Sequence, residues 1–411
     1  MIRTILSIAL IMIFASCQQD IIEDENLVEN LMKADKEKFG EILNNPNYEV
    51  QILYTQINRD SANNPQFKSF SYQLNPEQYF YPASTVKMPI AFLALEKVHE
   101  LGIDGLTKES TMLTDSAYSG QSPVTTDSTS ANGLPSIEHY IKKIFVVSDN
   151  DAYNRLYEFL GPEYINQKLT EKGFNNSVIQ HRLSIALSSD ENMHTNPVRF
   201  TNGDSIIYSQ PLTKSNWSYT PKNEILKGVG YINGSDSLVN EPFNFTYKNW
   251  IPLADLQGML KDLMFPNSSN KFNLKEGDYK FLYQYMSQLP RETSYPDYKA
   301  DSLPDGYCKF LMYGTKDKIP ENIRIFNKIG QAYGYLIDNA LIIDFENGVE
   351  FLLSAVISVN NNQIYNDGVY EYDEVGMPFM ENLGRLIYDY ELKRKREFKP
   401  DLSRFRTTYD Q

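Results

Sequence analysis

The sequence predicts an α/β (α+β) fold: one antiparallel sheet built from both ends of the chain, flanked by helices, with a mainly helical region inserted between. Three observations carry this. Two strand-like runs, YEVQILYTQI and FKSFSYQL, stand near the N-terminus. Three more, IRIFNKIG, YLIDNALIIDF and VEFLLSAVISV, stand in the last third, separated by the short turns QAYG and ENG. Between the two groups the apolar spacing is helical.

The elements follow in order. Leu27, Leu31, Met32, Phe39, Ile42 and Leu43 recur at helical spacing, and NNPN at 44–47 breaks that helix. The alternating, branched and aromatic run 48–57 is a strand, and FKSFSYQL follows it across a polar turn. YPASTVKMPI then opens an apolar helix that runs to Leu101 and stops at Gly102. Residues 106–135, rich in Ser, Thr, Asp and Gly, read as loop. SIEHYIKKIFVVSDNDAYNRLYEFLG is helical with a break near SDN, and PEYINQKLTEKGF is a short helix closed by Gly173. Residues 200–247 are polar and irregular, and GVGYING within them reads as loop. WIPLADLQGMLKDLMF is helical, 266–320 is tyrosine-rich without clear period, and GMPFMENLGRLIYDYEL is a closing amphipathic helix. The KRKREFK run reads as a solvated helix terminus.

Bulk composition narrows the function classes. The chain has 411 residues, 41% hydrophobic and 22% charged, enough for one large domain with a real core. Its net charge of −14 excludes the basic footprint of a nucleic-acid binder, so no nucleic-acid partner is expected. A local site can still be cationic on such a body. The four histidines have no metal-ligand spacing and GVGYING misses the dinucleotide fingerprint, so no metal or other cofactor is expected; no G-x-S-x-G elbow marks a Ser-His-Asp enzyme.

The first residues set the compartment. Arg3 precedes the apolar stretch Ile5–Phe14, which is too short to span a membrane, and Ala15 and Ser16 precede Cys17. This resembles a bacterial lipoprotein signal. The resemblance implies a signal peptide over 1–16, lipidation of Cys17 and an acidic tether over 17–26. Gln18 after the cysteine points, by analogy with Gram-negative sorting, to an outer-membrane anchor with the protein in the periplasm or at the cell surface. Cys308 is then left without a disulfide partner.

The chemistry starts at Ser84. Lys87 follows it by three residues, one helical turn on, where the helix begins. A serine there lies near unpaired N–H groups and the positive end of the dipole. A lysine held beside a buried site can lose its proton and take one from the hydroxyl. A capping serine beside a surface lysine would look the same, and Ser268–Lys271 repeats the spacing in a polar stretch without an apolar helix behind it. Later elements decide between these readings. Ser148, Asp149 and Asn150 follow Lys87 after an apolar run, with 61 residues from Lys87 to Ser148. Lys328-Ile329-Gly330 ends an apolar strand 180 residues beyond Ser148. The rival triplets Lys38-Phe39-Gly40 and Lys275-Glu276-Gly277 lie upstream of Ser84 and in a polar stretch.

S-x-x-K, then SDN, then K-x-G resembles the signature of class A β-lactamases and penicillin-binding proteins. SDNDAYN and LGPEYINQKLTEKGF extend the likeness, which covers roughly residues 27–395 with insertions at about 200–247 and 266–320; residues 396–411 are left as a tail. The resemblance implies roles. Ser84 is the acylated nucleophile and Lys87 its base, Ser148 passes a proton to the leaving nitrogen, and Asn150 orients Lys87 and a substrate amide. Lys328 holds a substrate carboxylate, and the backbone N–H groups of Ser84 and Gln331, beside Gly330, form the oxyanion hole. The implied substrate is a β-lactam or a related amide or ester, small or peptidoglycan-derived. A D-alanyl-D-alanine peptidase or esterase of the same fold, and a non-catalytic cell-wall-binding lipoprotein, are the alternatives.

Two departures stand out. Ile329 replaces the family's hydroxyl residue, which helps hold the carboxylate. The loop glutamate that activates the deacylating water in class A enzymes is replaced by Ser184; Asp190 and Glu191, a few residues on, read either as a solvent-exposed acidic loop or, if the loop is shaped differently, as substitutes. Without such a base the acyl-enzyme is expected to persist.

Overall fold

The five predicted strands form one antiparallel sheet in the order Ile323–Ala332, Tyr335–Asp344, Val349–Ser358, Gln51–Arg59, Pro65–Tyr72. The computed structural model describes residues 26–269, 271–299, 303–314 and 318–409. The expected signal segment 1–16, Cys17 and all but the last residue of the 17–26 tether lie outside the described residues.

The two chain ends meet where Gln51 pairs with Val356. Alternation along each strand feeds two cores. On one face Ile52, Tyr54, Phe351, Leu353, Leu336 and Ile342 pack under the helices of the chain ends. On the other, Leu53, Leu352, Val356, Ile337 and Leu341 meet the inserted helical region. The central strands are apolar on both faces because both faces are covered.

The terminal helices are α1 (Leu27–Ala34), α2 (Lys36–Asn44) and, at the far end of the chain, α10 (Met377–Lys393). The expected single helix over 27–43 is therefore two. Asp35 interrupts it, and its carboxylate caps the second by accepting from Lys38 N at 3.4 Å. The inserted region holds α3 (Lys87–Leu101), α4 (Ile137–Val147), α5 (Asn150–Leu160), α6 (Pro162–Glu171), the one-turn α7 (Ser189–Met193), α8 (Leu253–Met264) and α9 (Glu276–Ser287). Gly102 and Gly173 close α3 and α6 with φ of 59° and 82°, the left-handed backbone that glycine adopts without strain.

Three readings are corrected. Helix α9 lies inside the stretch 266–320 that has no visible period. GVGYING is not all loop: Gly230–Ile232 is a short strand, paired in parallel with Ile364–Tyr365. The KRKR run is solvated only in part: Lys393 and Lys395 are exposed, but the two arginines are held in. Arg394 Nε donates to Glu391 at 2.9 Å and Arg396 pairs with the same carboxylate, which has no exposure at all. The tail is packed as well, since Phe405 is buried against Phe326 and Tyr283.

Candidate active site

Three local conformations bring the predicted residues together. The first is the turn before α3. Ala83 takes a left-handed φ of 47°, which costs a non-glycine residue about 1 kcal/mol, and residues 83–86 make one tight turn tied down by Thr85 Oγ1 donating to Pro82 O at 2.6 Å. Ser84 does not cap the helix. Its Oγ lies 2.8 Å from Lys87 Nζ instead.

The second is the junction of α4 and α5. Ser148 ends α4 with φ 59°. Asp149 caps α5 by accepting from Ala152 N at 2.7 Å, and Asn150 is the first residue of α5. The SDN triplet is thus both a helix start and part of the site: its aspartate does the capping, and its serine and asparagine face Lys87. Lys87 Nζ reaches Asn150 Oδ1 at 2.6 Å, Ser148 Oγ at 3.2 Å and the Ser148 carbonyl.

The third is the edge strand Ile323–Ala332. Even-numbered residues face the inserted region, so Lys328 reaches the site and donates to Ser148 Oγ at 2.8 Å. Gly330 comes so close to the Ser84 turn that a Cβ there would sit 2.7 Å from Pro82 O. Ile329 faces the other way. It is 6% exposed and joins the core under the terminal helices, so it is not a cleft residue, and the expected effect of its missing hydroxyl on substrate does not apply at that position. The strand turns back through Tyr333 and Gly334, φ 55° and 78°, a two-residue hairpin. In such a hairpin Ala332 and Tyr335 are the hydrogen-bonded pair. Gln331 and Leu336 are not, so the Gln331 N–H points away from the sheet toward the Ser84 turn. Lys328 Nζ donating to Ile329 O at 3.1 Å uses the same outward row of backbone groups.

Burial sets the electrostatics. Lys87 has no exposed surface, and desolvation, then the neighbouring Lys328 charge, holds its pKa well below the usual lysine range. Desolvation also brings Lys328 down to about 8. Asn150 Oδ1 and the Ser148 carbonyl only accept hydrogen bonds, so two of the Lys87 N–H groups are committed to them. A neutral Lys87 then presents its lone pair to Ser84 Oγ.

A cleft of about 420 Å³ opens over Ser84, lined also by Tyr81, Asn150, Ser184, Gln331 and Tyr333, with Asn366 and Tyr370 at its rim. Ser184, the residue in the glutamate's place, accepts from Asn150 Nδ2 at 2.8 Å. Asp190 and Glu191 are not substitutes. Glu191 is engaged by Ser119 and by the capping box of α7, Asp190 by Tyr118 and Lys214, and neither lines the cleft. The cleft wall from Tyr333 to Tyr370 was invisible in sequence, because it depends on two turns meeting in space. The rival Lys271 pairs with Asp262, and Lys38 with Asp35.

Residues 36–215 match the model of the β-lactamase enzyme family. Among solved structures, the chain is similar to PBP-A (17% identity, 89% of this chain and 95% of that one, TM-score 0.49). It is also similar to a β-lactamase from Xanthomonas campestris pv. campestris str. ATCC 33913 (13%, 89% and 97%, 0.48) and to a class A β-lactamase from Clostridium kluyveri DSM 555 (14%, 88% and 98%, 0.47). No curated protein matches it.

Proposed function

We propose that this chain, which belongs to the β-lactamase and penicillin-binding-protein-like superfamily of serine hydrolases, forms an acyl-serine at Ser84 from a β-lactam or related amide or ester and releases it slowly. The observation that carries the reading is the buried amine of Lys87, 2.8 Å from Ser84 Oγ with two of its protons committed elsewhere.

The steps follow from the geometry. Lys87 takes the Ser84 proton as Oγ bonds to the carbonyl carbon. The oxyanion forms between the N–H groups of Ser84 and Gln331, each worth about 3 kcal/mol of barrier. The carbon–nitrogen bond breaks as Ser148 gives its proton to the leaving nitrogen, and Lys87, 3.2 Å from Ser148 Oγ, returns one to it. Lys328 holds Ser148 and supplies positive charge for a substrate carboxylate. Hydrolysis of the ester then needs an activated water. Ser184 offers only a hydroxyl, already engaged by Asn150, so that step is slow.

The same observation favours a second reading, a penicillin-binding peptidase in which an amine or a slow water accepts the acyl group. In both readings the chain is anchored through a lipidated Cys17 on the periplasmic side or at the cell surface. Incubation with a fluorescent penicillin and a chromogenic cephalosporin, followed by intact mass, tests the proposal. A lasting adduct on Ser84 is expected. Rapid turnover would replace the slow-release reading with an efficient β-lactamase, and a folded protein that takes no adduct from either would overturn the acylation of Ser84 by β-lactams.

A further inference from the structure

A second cavity, of about 590 Å³, lies on the other side of the loop that carries Ser184. Leu183 and Ser184 line the Ser84 cleft, while Arg182, Ile185 and Leu187 of the same loop line this one. Asn244, Tyr247 and Lys248 line it as well. A stacked pair joins the two spaces: His181 lines the second cavity, and its ring lies parallel to Tyr81 of the cleft, 6.2 Å between centroids.

The lining is unusual for this chain. Among the described residues, no aspartate or glutamate lines either cavity, although the chain carries 53 of them. The second cavity carries Arg182 and Lys248. Arg182 is spent, since its guanidinium pairs with the buried Glu158 and donates to the carbonyls of Glu191 and His194. Lys248 is different. It is half-buried, its ammonium lies 5.9 Å from the Phe243 ring, and it has no hydrogen-bond or ion-pair partner for its amine among the described residues. Desolvation lowers its pKa, and no carboxylate offsets that cost. His181 adds no second positive charge to the lining. Its Nδ1–H donates to Arg182 O at 2.7 Å and its Nε2 accepts from Asn249 N at 3.1 Å, so the ring is neutral.

We infer that this cavity is a binding subsite for an anionic group, a carboxylate or phosphate, carried by the acyl donor that Ser84 attacks and seated on Lys248. An anion there would supply the counter-charge that the described lining residues do not. The inference rests on the proposed acylation of Ser84 for its catalytic readout and on geometry alone for the site.

Two measurements separate those supports. Two thioester acyl donors are compared, alike except that one ends in a succinyl carboxylate and the other in its methyl ester. The protein should acylate at least tenfold faster from the carboxylate donor. Lys248→Met should bring that ratio to within about twofold of one, while Lys222→Met, an exposed lysine outside both cavities, keeps it. Independently, pyridoxal 5′-phosphate is added to the purified protein. Its aldehyde condenses with an amine, releasing water, and borohydride reduces the imine. Lys248 should be labelled ahead of the surface lysines, and millimolar inorganic phosphate should protect it at least fivefold. Labelling spread evenly over the surface, or a donor preference untouched by Lys248→Met, overturns the subsite. Failure of Ser84 to be acylated by both donors and by the fluorescent penicillin overturns the proposed function, and the labelling result still decides whether the anion site exists.

Discussion

The two sides of the Ser84 cleft are built to different standards. On one, Lys87, Ser148, Asn150 and Lys328 come from three elements, with both lysine side chains fully buried, and each polar atom meets a partner within 3.2 Å. On the other, the loop at Ser184 is exposed, holds its serine at φ 54° and brings no carboxylate to the water's side. Attack and release are separable chemical steps, and this chain has invested burial and geometry in the first alone. Family likeness therefore speaks to the nucleophile more strongly than to turnover.

The largest effect breaks the well-built side. Lys87→Met removes the amine and leaves two acceptors, Asn150 Oδ1 and the Ser148 carbonyl, without their donor. Acylation by a fluorescent penicillin should fall about 10³-fold, the range for loss of a positioned general base. A rate within tenfold of the parent would mean that another group deprotonates Ser84.

Next, the bare side can be completed. Ser184→Glu places a carboxylate where Asn150 Nδ2 already points. The lifetime of the Ser84 adduct, followed by intact mass, should shorten about 10²-fold with little change in acylation. An unaltered lifetime would show that loop shape, and not the missing carboxylate, limits release.

How much of this could be read in the chain follows from where the signal lies. The strands were legible as branched or aromatic runs bounded by turns, along which side chains change face every two residues. Ser84, Lys87, Ser148, Asn150 and Lys328 were legible because each falls in a short local pattern. The same two-residue period, counted from Lys328, already turns Ile329 to the opposite face; comparison with the family's hydroxyl residue hid that. Helix α9 was not legible, because Tyr279, Phe281, Leu282, Tyr283, Tyr285 and Met286 are buried on nearly every side and leave no polar stripe. The arginines at 394 and 396 read as solvated because their buried partner, Glu391, reveals itself only in three dimensions. Lys248 and Ser184 sit on loops, where neighbours are set by chain path rather than by period.

A smaller effect tests how tightly the edge strand meets the nucleophile turn. Gly330→Ala puts a Cβ 2.7 Å from the Pro82 carbonyl, a backbone atom that cannot swing aside. The strand must move by a few tenths of an ångström, carrying the Gln331 N–H away from the oxyanion. Acylation should slow by about tenfold, with the adduct's lifetime changed less. Equal slowing of both steps would show that the two sides of the cleft share this donor equally.

The last effect is on stability, not on acylation, and comes from the same burial that equips the site. Lys328 and the neighbouring buried Lys309 both titrate at about 8 in the folded chain, chiefly through desolvation, against about 10.5 when unfolded. Between those values the unfolded state binds more protons, so stability rises with pH, by at most about 3 kcal/mol for each lysine. The gain does not continue upward. Buried tyrosines such as Tyr79, Tyr81 and Tyr153 keep their hydroxyls protonated far above 10, whereas the unfolded chain loses those protons near 10, which reverses the slope. Urea midpoints measured from pH 7.5 to 10.5 should therefore climb from about pH 8 and turn over near 10. Lys328→Met should flatten the climb. Over the same interval, acylation by a carboxylate-bearing donor should decline as Lys328 loses its charge, so that the protein grows more stable as its site grows weaker. A midpoint that stays level from pH 7.5 to 9.5 would mean that the two lysines are hydrated in solution, and the contrast between the two sides of the cleft would shrink accordingly.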